Sequence, residues 1–328
     1  DEGSELLFGT LCDSVDASVY SNNVTSPAST PDSTSNPARS PAVCLCVNIV
    51  KRSMICFSRS LWMFHSERER ACSSGRIFYA ENWVYAPAVQ KEREIIEKTG
   101  AQLIWMHGEE SHSGSHSPYY GIWSHSGGGS VMGKGVHPLT AALYLKKVEG
   151  RSRGRDSIRP TQVSSQVHAV TRSSSYEDKG FLRTNYTDIE DFGHMHVVFE
   201  DGTFADIFAS ELVMGGVHNW LEVVGNNHRG VVNINPNSAF QTYNPEERQF
   251  DDVYVVEKTE TKQGWASTSP DENWFTGYQH EMQAFYQNVA EGTAPESDSQ
   301  LAADTISVVY AAYLSAERHG AAVEVPQA

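Results

Sequence analysis

The segment MHVVFEDGTFADIFAS, residues 195–210, decides the fold of this chain. Residues 195–199 and 203–210 are strand-like, and Asp201-Gly202 between them is a strong signal for a tight hairpin. Other strand-like segments occupy residues 163–171, 220–225, 231–234 and 253–256. Strands that follow one another so closely predict a largely antiparallel sheet.

Helical patterns lie before and after these strands. Four segments have the apolar spacing of helices that pack on a core: residues 87–99, 138–148, 274–290 and 301–319. Gly100 and Gly150 are predicted to end the first two helices, and residues 77–80 and 102–106 predict short strands. The predicted fold class is α+β, with an open, largely antiparallel sheet that has helices on one face. The uncovered face favours a homo-oligomer, a dimer or tetramer.

Composition excludes several classes of partner. The chain has 328 residues, 39% of them hydrophobic, and a formal net charge of −16. So acidic a protein is not expected to bind nucleic acid or an anionic membrane, and no apolar run reaches the roughly 18 residues that span a bilayer. All five cysteines lie within the first 72 residues without a Cys-x-x-Cys pair, so neither a disulfide framework nor a zinc site is expected. These features predict a cytoplasmic protein.

The first 75 residues differ from the rest. Residues 21–42 are rich in Ser, Thr, Pro and Asn, which predicts disorder, and residues 43–75 show no clear period. A strand, a Gly-x-Gly-x-x-Gly turn, a helix and an acidic residue about 20 residues on would be needed for a dinucleotide-binding fold. Residues 1–75 contain no such pattern. We therefore predict an irregular N-terminal region without a complete Rossmann fold, followed by an α/β domain over residues 76–328.

A glycine-rich loop, GGGSVMGKGVH over residues 127–137, leads into a predicted helix. Three consecutive glycines allow close approach to a ligand, and the loop N–H groups at a helix N-terminus can face an anionic or polar group. His137 would stand beside that ligand as a proton donor or acceptor. The alternative is that the glycines only turn the chain and His137 caps a packed helix.

Several segments resemble, in order and spacing, the C-terminal half of the Gfo/Idh/MocA oxidoreductases. They are residues 81–87 (ENWVYAP), 127–137, 199–203 (FEDGT) and 221–225 (LEVVG). The resemblance covers about residues 76–328. It implies a substrate-binding and oligomer-forming domain, NAD or NADP held by a separate Rossmann domain, and hydride transfer at a hydroxyl of a sugar, inositol or related polyol. In such enzymes a histidine in the position of His137 acts as acid or base.

The chain departs from that family pattern in its catalytic groups. Gly133 stands where the family usually has aspartate, and Lys134 follows it. Lys134 is a candidate to stabilise the substrate alkoxide, and equally a solvated surface charge. The family's Glu-Lys-Pro motif is absent. No cofactor domain is recognisable in the sequence. Three interpretations are open: a fragment, the product of a misread coding region, or a protein that has abandoned redox chemistry.

The predicted site consists of His137 and Lys134 as catalytic residues, with cofactor-binding residues unassigned. The predicted substrate-binding residues are His112, His116, Tyr119, Trp123 and Asp191. The histidine-rich segment around residues 107–116 is also a candidate metal site, but its Ser and Gly residues indicate a loop without preorganised ligands, so no metal is predicted. The stretch Gly128-x-x-x-x-Gly133-Lys134 lacks the Ser or Thr of a phosphate-binding loop and is interpreted as a chance match.

The sequence therefore predicts an NAD(P)-dependent oxidoreductase domain that acts on a small sugar-like substrate and that is inactive alone if its cofactor half is missing. Two alternatives remain open at this point. One is a non-catalytic polyol-binding or oligomerisation module, and the other is a metal-dependent hydrolase or lyase that uses the histidine-rich loop.

Overall fold

The computed structural model describes residues 77–117, 119–235, 240–255, 261–268 and 271–327. Nine strands occur in these residues: β1 (Leu103–Ser111), β2 (Pro160–His168), β3 (Phe192–Phe199), β4 (Phe204–Ser210), β5 (His218–Gly225), β6 (Arg229–Asn233), β7 (Phe240–Asn244), β8 (Gly264–Thr268) and β9 (Val323–Glu324). Seven form one sheet in the order β6-β5-β1-β4-β3-β2-β9, and β7 pairs with β8 alone. Only β1 and β4 run parallel in the main sheet, which confirms the predicted antiparallel character.

The hairpin between β3 and β4 forms as the sequence predicts. Val198 pairs with Phe204, and the Phe199 N–H donates to the Thr203 carbonyl at 2.9 Å. Gly202 has φ of 81°, a conformation that glycine adopts without a Cβ penalty. The Asp201 carboxylate closes the turn, because it accepts from the Thr203 hydroxyl at 2.6 Å. These contacts fix the register of the two central strands.

Helices cover one face of the sheet. They are α1 (Asn82–Tyr85), α2 (Pro87–Thr99), α3 (Trp123–Ser126), α4 (Val136–Ser152), α5 (Glu272–Phe275), α6 (Tyr278–Glu291) and α7 (Ser299–Glu317), with a π-helical turn, Val131–Gly135, leading into α4. Alternate strand residues such as Met106, Val197 and Ile207 are buried beneath α4 and α7. At Gly108 a Cβ would lie 2.9 Å from Pro138 Cβ, so this glycine lets the start of α4 lie directly on β1.

The opposite face of the sheet carries no described helix. Its partly exposed side chains include the acidic Glu109, Asp206 and Glu222 and a set of aromatic rings and histidines: Trp105, His107, His194, His196, Phe204, Phe208 and Trp220. The rings pack on one another, with His194 stacked 4.4 Å from Phe208 and His107 4.7 Å from Trp220. The prediction of helices on one face and an uncovered second face is therefore confirmed for the described residues.

Two helix predictions differ from the structure at glycines. Helix α4 continues through Gly150 to Ser152, so Gly150 does not end the helix. A Cβ at Gly150 would lie 2.8 Å from the Ser157 backbone, so the glycine there allows a close approach of that segment. The predicted helix 274–290 is broken at Gly277, whose φ of 95° and close contact with the Asn82 carbonyl separate α5 from α6. By contrast, Pro87–Thr99 and its end at Gly100 are confirmed.

The predicted strands also differ in places. Residues 78–80 and 253–255 are not strands, and β1 runs on to Ser111 rather than ending at residue 106. The predicted strand 163–171 ends at His168, since Val170–Arg172 form a 3₁₀ turn. The pair β7 and β8 was not predicted.

Residues 1–76 lie outside the described part of the chain. The predicted irregular region, the predicted disorder of residues 21–42 and all five cysteines fall on these residues. In the part that the structure does describe, no helix is both long enough and apolar enough to cross a membrane.

Candidate active site

A cavity of about 330 Å³ opens where β1 ends and β5 begins, beneath the start of α4. Polar side chains dominate its wall. It is lined by Asn82, Trp83, Glu110, His112, Ser115, Gly133, Lys134, His137, Val217, Asn219, Asn235, Tyr254, Glu272, Asn273, Thr276 and Tyr278. Both predicted catalytic residues, His137 and Lys134, line this cavity, one turn apart at the start of α4.

His137 forms a close pair with a buried carboxylate. Its Nδ1 lies 2.9 and 3.0 Å from the two oxygens of Glu81, the residue that caps helix α1. Burial lowers the pKa of His137, but the charges of Glu81 and Glu110 outweigh burial and raise this pKa to about 9. Trp83 stacks on the imidazole at 6.3 Å and fixes the ring against the cavity wall. The histidine is thus held, charged at neutral pH, beside the cavity.

Lys134 has its own carboxylate partner. Its Nζ lies 3.3 Å from Glu211 Oε1, and the ammonium also lies 5.3 Å above the Tyr120 ring. The Tyr120 hydroxyl donates to the same Glu211 oxygen at 2.8 Å. Lys134 is therefore a buried, paired cation and not a solvated surface charge.

Gly133 and Tyr120 share one space. A Cβ at Gly133 would lie 2.4 Å from the Tyr120 hydroxyl, so any larger residue there, aspartate included, requires Tyr120 to move. The Tyr120 hydroxyl and the Lys134 ammonium both contact Glu211, so the carboxylate next to Lys134 comes from another part of the chain. Gly133 and Lys134, the two departures from the family pattern, thus both pack against Tyr120.

The glycine loop faces a protein carboxylate rather than the cavity. The N–H groups of Gly129 and Val131 donate to the two Glu190 oxygens at 3.0 and 2.9 Å, and the Tyr313 hydroxyl donates to Glu190 at 2.8 Å. Burial raises the pKa of Glu190 to about 7, although these donors lower it. The expectation that the loop N–H groups face a ligand is therefore wrong, because Glu190 accepts from them.

The five predicted substrate-binding residues do not come together. His112 lines the cavity, with its Nδ1 3.7 Å from Glu211 Oε2. His116 is exposed and bonds Arg183, and Tyr119 is also exposed. Trp123 packs on Tyr313, 4.8 Å away, on the far side of the glycine loop.

Asp191 has a structural contact instead of a place at the cavity. Its carboxylate accepts from the N–H groups of Val170 and Thr171, at 2.8 and 2.7 Å, and from the Thr171 hydroxyl. These bonds hold the 3₁₀ turn after β2. The structure thus corrects the expected grouping of His116, Tyr119, Trp123 and Asp191 with His112.

Sequence reasoning missed the carboxylates of the site. Glu81 and Glu211 are the partners of the two catalytic candidates, and Glu110 lines the cavity itself. A signal for Glu110 was present: it follows Met106 and Gly108 at intervals of two, so it lies on the buried face of β1. A charged residue in phase with core positions at a strand end indicates a site.

No metal centre stands out in the part of the chain that the structure describes. No group of three His, Cys, Asp or Glu side chains there is arranged to hold an ion. His112 and His116, the pair with the spacing of a helical zinc motif, belong to a strand end and a loop, and only His112 faces the cavity.

Comparison with known proteins gives a match of fold. No family model and no curated protein matches the sequence. Solved structures include GenD2 from gentamicin A biosynthesis in complex with NAD, with a TM-score of 0.63 and 19% identity over 80% of this chain and 68% of that one. A probable dehydrogenase from Thermotoga maritima has a TM-score of 0.57 and 15% identity over 81% and 69% of the two chains.

A third structure is the myo-inositol dehydrogenase from Lactobacillus casei in complex with NAD(H) and myo-inositol. It has a TM-score of 0.52 and 13% identity over 80% of this chain and 66% of that one. The chain thus shares its fold with these structures, which supports its resemblance to the Gfo/Idh/MocA oxidoreductases. At these sequence identities the similarity extends to the fold alone.

Proposed function

We propose that the described domain is the substrate-binding part of an oxidoreductase that removes hydride from a carbinol of a polyhydroxylated small molecule. The observation that carries the proposal is the pair of His137 and Glu81 at the wall of a polar cavity. The fold supports it, since one structural neighbour is in complex with NAD and another in complex with NAD(H) and myo-inositol. Ring-sized polyols match a cavity of about 330 Å³ rich in hydrogen-bonding groups.

In this proposal His137 exchanges the hydroxyl proton of the substrate. A histidine that accepts a proton must first be neutral, and its pKa of about 9 makes oxidation faster as pH rises towards that value. The protonated form at lower pH serves the reverse reaction by donating to the carbonyl. Lys134 stabilises the alkoxide, and His112, which lies against the same Glu211 carboxylate as Lys134, positions the substrate.

NAD, when bound, supplies the hydride acceptor. The described residues, 77 to 327 with four internal gaps, contain no strand, glycine-rich turn and helix in the dinucleotide-binding arrangement. They fit a substrate and do not fit the dinucleotide, so none of them is assigned to NAD or NADP. A cytoplasmic location remains a prediction from the sequence.

The test is a titration of the full chain with NADH and NADPH, followed by nicotinamide fluorescence, together with a calorimetric screen of sugars and inositols. The proposal expects saturable polyol binding, and turnover wherever cofactor binds, with turnover reduced at least about 100-fold in His137→Ala. His125→Ala, an exposed histidine next to the glycine loop, is the matched control. Absence of any polyol binding would overturn the proposal.

The second candidate is a non-catalytic polyol-binding module. The absence of a dinucleotide-binding unit from the described residues favours it. It expects saturable polyol binding, no cofactor binding up to millimolar concentration, and no turnover.

We also propose that the uncovered sheet face joins copies of the chain. The half-buried aromatic residues there favour association, and the prediction of a dimer or tetramer is tested in the Discussion.

A further inference from the structure

One carboxylate of the cavity has no cation of its own. Glu81 pairs with His137, and Glu211 pairs with Lys134, at 2.9 and 3.3 Å. Glu110 is nine-tenths buried, lines the same cavity, and has neither an ion pair nor a side-chain hydrogen bond among the described residues. It lies within the electrostatic influence of both cations without contacting either one. Burial raises the pKa of Glu110, against the lowering charges of His137 and Lys134, and a cationic donor from a ligand favours the ionised carboxylate.

The neighbouring unsatisfied atoms are acceptors too. Asn219 lies directly opposite Glu110 in the register of β1 and β5, and its buried Oδ1 has no described hydrogen-bond partner. The Oδ1 of Asn235 is also buried at the cavity without a described partner. The orientation of that amide follows from its Nδ2, which donates to Glu272 at 3.0 Å. The wall around Glu110 therefore needs hydrogen-bond donors from its ligand.

The balance of charge agrees with this need. Four carboxylates line the cavity or stand directly behind it, Glu81, Glu110, Glu211 and Glu272, against His137, Lys134 and the imidazole of His112, which lies 3.7 Å from Glu211. A neutral polyol supplies donors but leaves this excess of negative charge uncompensated. A ligand with an ammonium group supplies both donors and the missing charge.

We propose that the substrate is an amino polyol, an amino sugar or aminocyclitol, whose ammonium group binds Glu110 while its hydroxyls donate to Asn219 and Asn235. This inference rests on the proposed function and narrows its substrate class. His137 and Lys134, which line the same cavity, face the carbinol. The cavity volume accommodates a single six-membered ring with its substituents.

The test compares matched pairs in which one hydroxyl replaces one amine. Scyllo-inosamine is measured against scyllo-inositol, and glucosamine against glucose, by calorimetric titration of the full chain at pH 7 and low salt. The expected result is at least about tenfold tighter binding of the amine in one pair or both, with N-acetylglucosamine no better than glucose. The Glu110→Gln variant is expected to bind the amine and its hydroxyl analogue with about equal affinity.

Glu109→Gln is the matched control, because Glu109 is adjacent on β1 but points to the opposite face, where it contacts His218. It is expected to keep the preference for the amine. Equal or tighter binding of the neutral members by the unsubstituted chain would overturn the amino-polyol inference and leave the proposed function standing. A preference for the amine that survives Glu110→Gln would overturn the role of Glu110. Failure of every member to bind would overturn both proposals.

Discussion

At the scale of single residues, the charge on His137 is set by its neighbours. Glu81 holds the imidazole at 2.9 Å, and with Glu110 it raises the pKa of His137 to about 9 despite burial. Burial lowers the pKa of His137, and the Glu81 charge opposes this effect. Without that charge, burial has the larger influence on the His137 pKa. In Glu81→Gln we expect the pKa of His137 to fall by about one unit or more.

The measurement is an NMR titration of the His137 ring, which needs neither substrate nor cofactor. Glu109→Gln serves as the control, since Glu109 lies on the other face of the sheet, and it is expected to leave the titration unchanged. An unchanged pKa in Glu81→Gln would show that Glu81 only packs against the ring. If the enzyme turns over, the alkaline rise of its oxidation rate is expected to move with the same pKa.

The glycine loop gives a second prediction at this scale. A Cβ at Gly129 would lie 2.1 Å from the Glu190 carbonyl oxygen, and backbone atoms cannot move aside easily. Gly129→Ala is therefore expected to lower the free energy of unfolding by about 3 kcal/mol. Gly154→Ala is the comparison, because nothing lies within 4 Å of its Cβ and only its φ of 73° opposes a side chain, at about 1 kcal/mol. Equal losses in urea denaturation would contradict the tight packing of the loop.

At the scale of secondary-structure elements, one buried lysine joins three of them. Lys146 on α4 bonds Glu149 at 2.6 Å and Asp201 of the β3–β4 turn at 2.9 Å, and it reaches the Leu103 carbonyl at the start of β1. Lys146→Ala leaves Asp201 without its cation and Glu149 with Arg153 alone, and it is expected to cost about 3–5 kcal/mol in free energy of unfolding. Lys98→Ala, which breaks an exposed pair with Glu94 on α2, is expected to cost far less, because solvent screens that pair. A comparable loss in the two variants, measured by denaturant titration, would contradict this role of Lys146.

The elements that were predicted correctly are those whose signals are local. The hairpin at Asp201-Gly202 and the helix Pro87–Thr99 depend on turn residues and on apolar spacing within the segment itself. Gly150 and Gly277 misled the prediction because each is explained by a distant contact, with Ser157 and Asn82, which no local pattern records. The segments of β7 and β8 have neither a hairpin turn nor a regular apolar spacing that predicts strands.

The same distinction separates the site residues. His137 and Lys134 were predicted because they follow a recognisable glycine loop. Their partners Glu81 and Glu211 lie 56 and 77 positions away, and only the fold brings them together. Asp191 has a side chain suited to a binding site, but its carboxylate accepts hydrogen bonds from the backbone of the 3₁₀ turn.

At the scale of the whole molecule, several buried groups make stability fall as pH rises. Burial raises the pKa of Glu190 to about 7, and burial with the Glu81 charge raises that of Glu281 to about 8. Such groups hold their protons more tightly when folded, so folding loses free energy between pH 4.5 and these values. His137 adds stability that is complete below pH 6.5 and is lost as pH rises through about 9. Burial lowers the pKa of His194, an effect of opposite sign at a half-exposed ring.

The expected result is a free energy of unfolding about 2–4 kcal/mol lower at pH 9 than at pH 5, measured by urea denaturation. Glu281→Gln removes one of the titrating groups, and it is expected to flatten the profile between pH 5 and 8. A stability that rises over this range would contradict the assignment of these raised pKa values.

The uncovered sheet face gives the last prediction. Phe208 lies at its centre, between His107 and His194. If copies of the chain meet on this face, Phe208→Glu buries a charge in the contact and is expected to convert a dimer or tetramer into monomer. Val170→Glu, an exposed residue off the sheet, is the control. A monomer before substitution, by light scattering, would contradict the assembly.

The uncovered sheet face also carries four histidines. His194 and His196 are two residues apart on β3 and point to the same side, with His107 and His218 on strands nearby. Imidazoles in such a row bind immobilised nickel. An untagged chain is therefore expected to be retained on a nickel column while the face is open and to flow through once copies cover it. Retention on the nickel column thus reports whether another copy of the chain covers the sheet face.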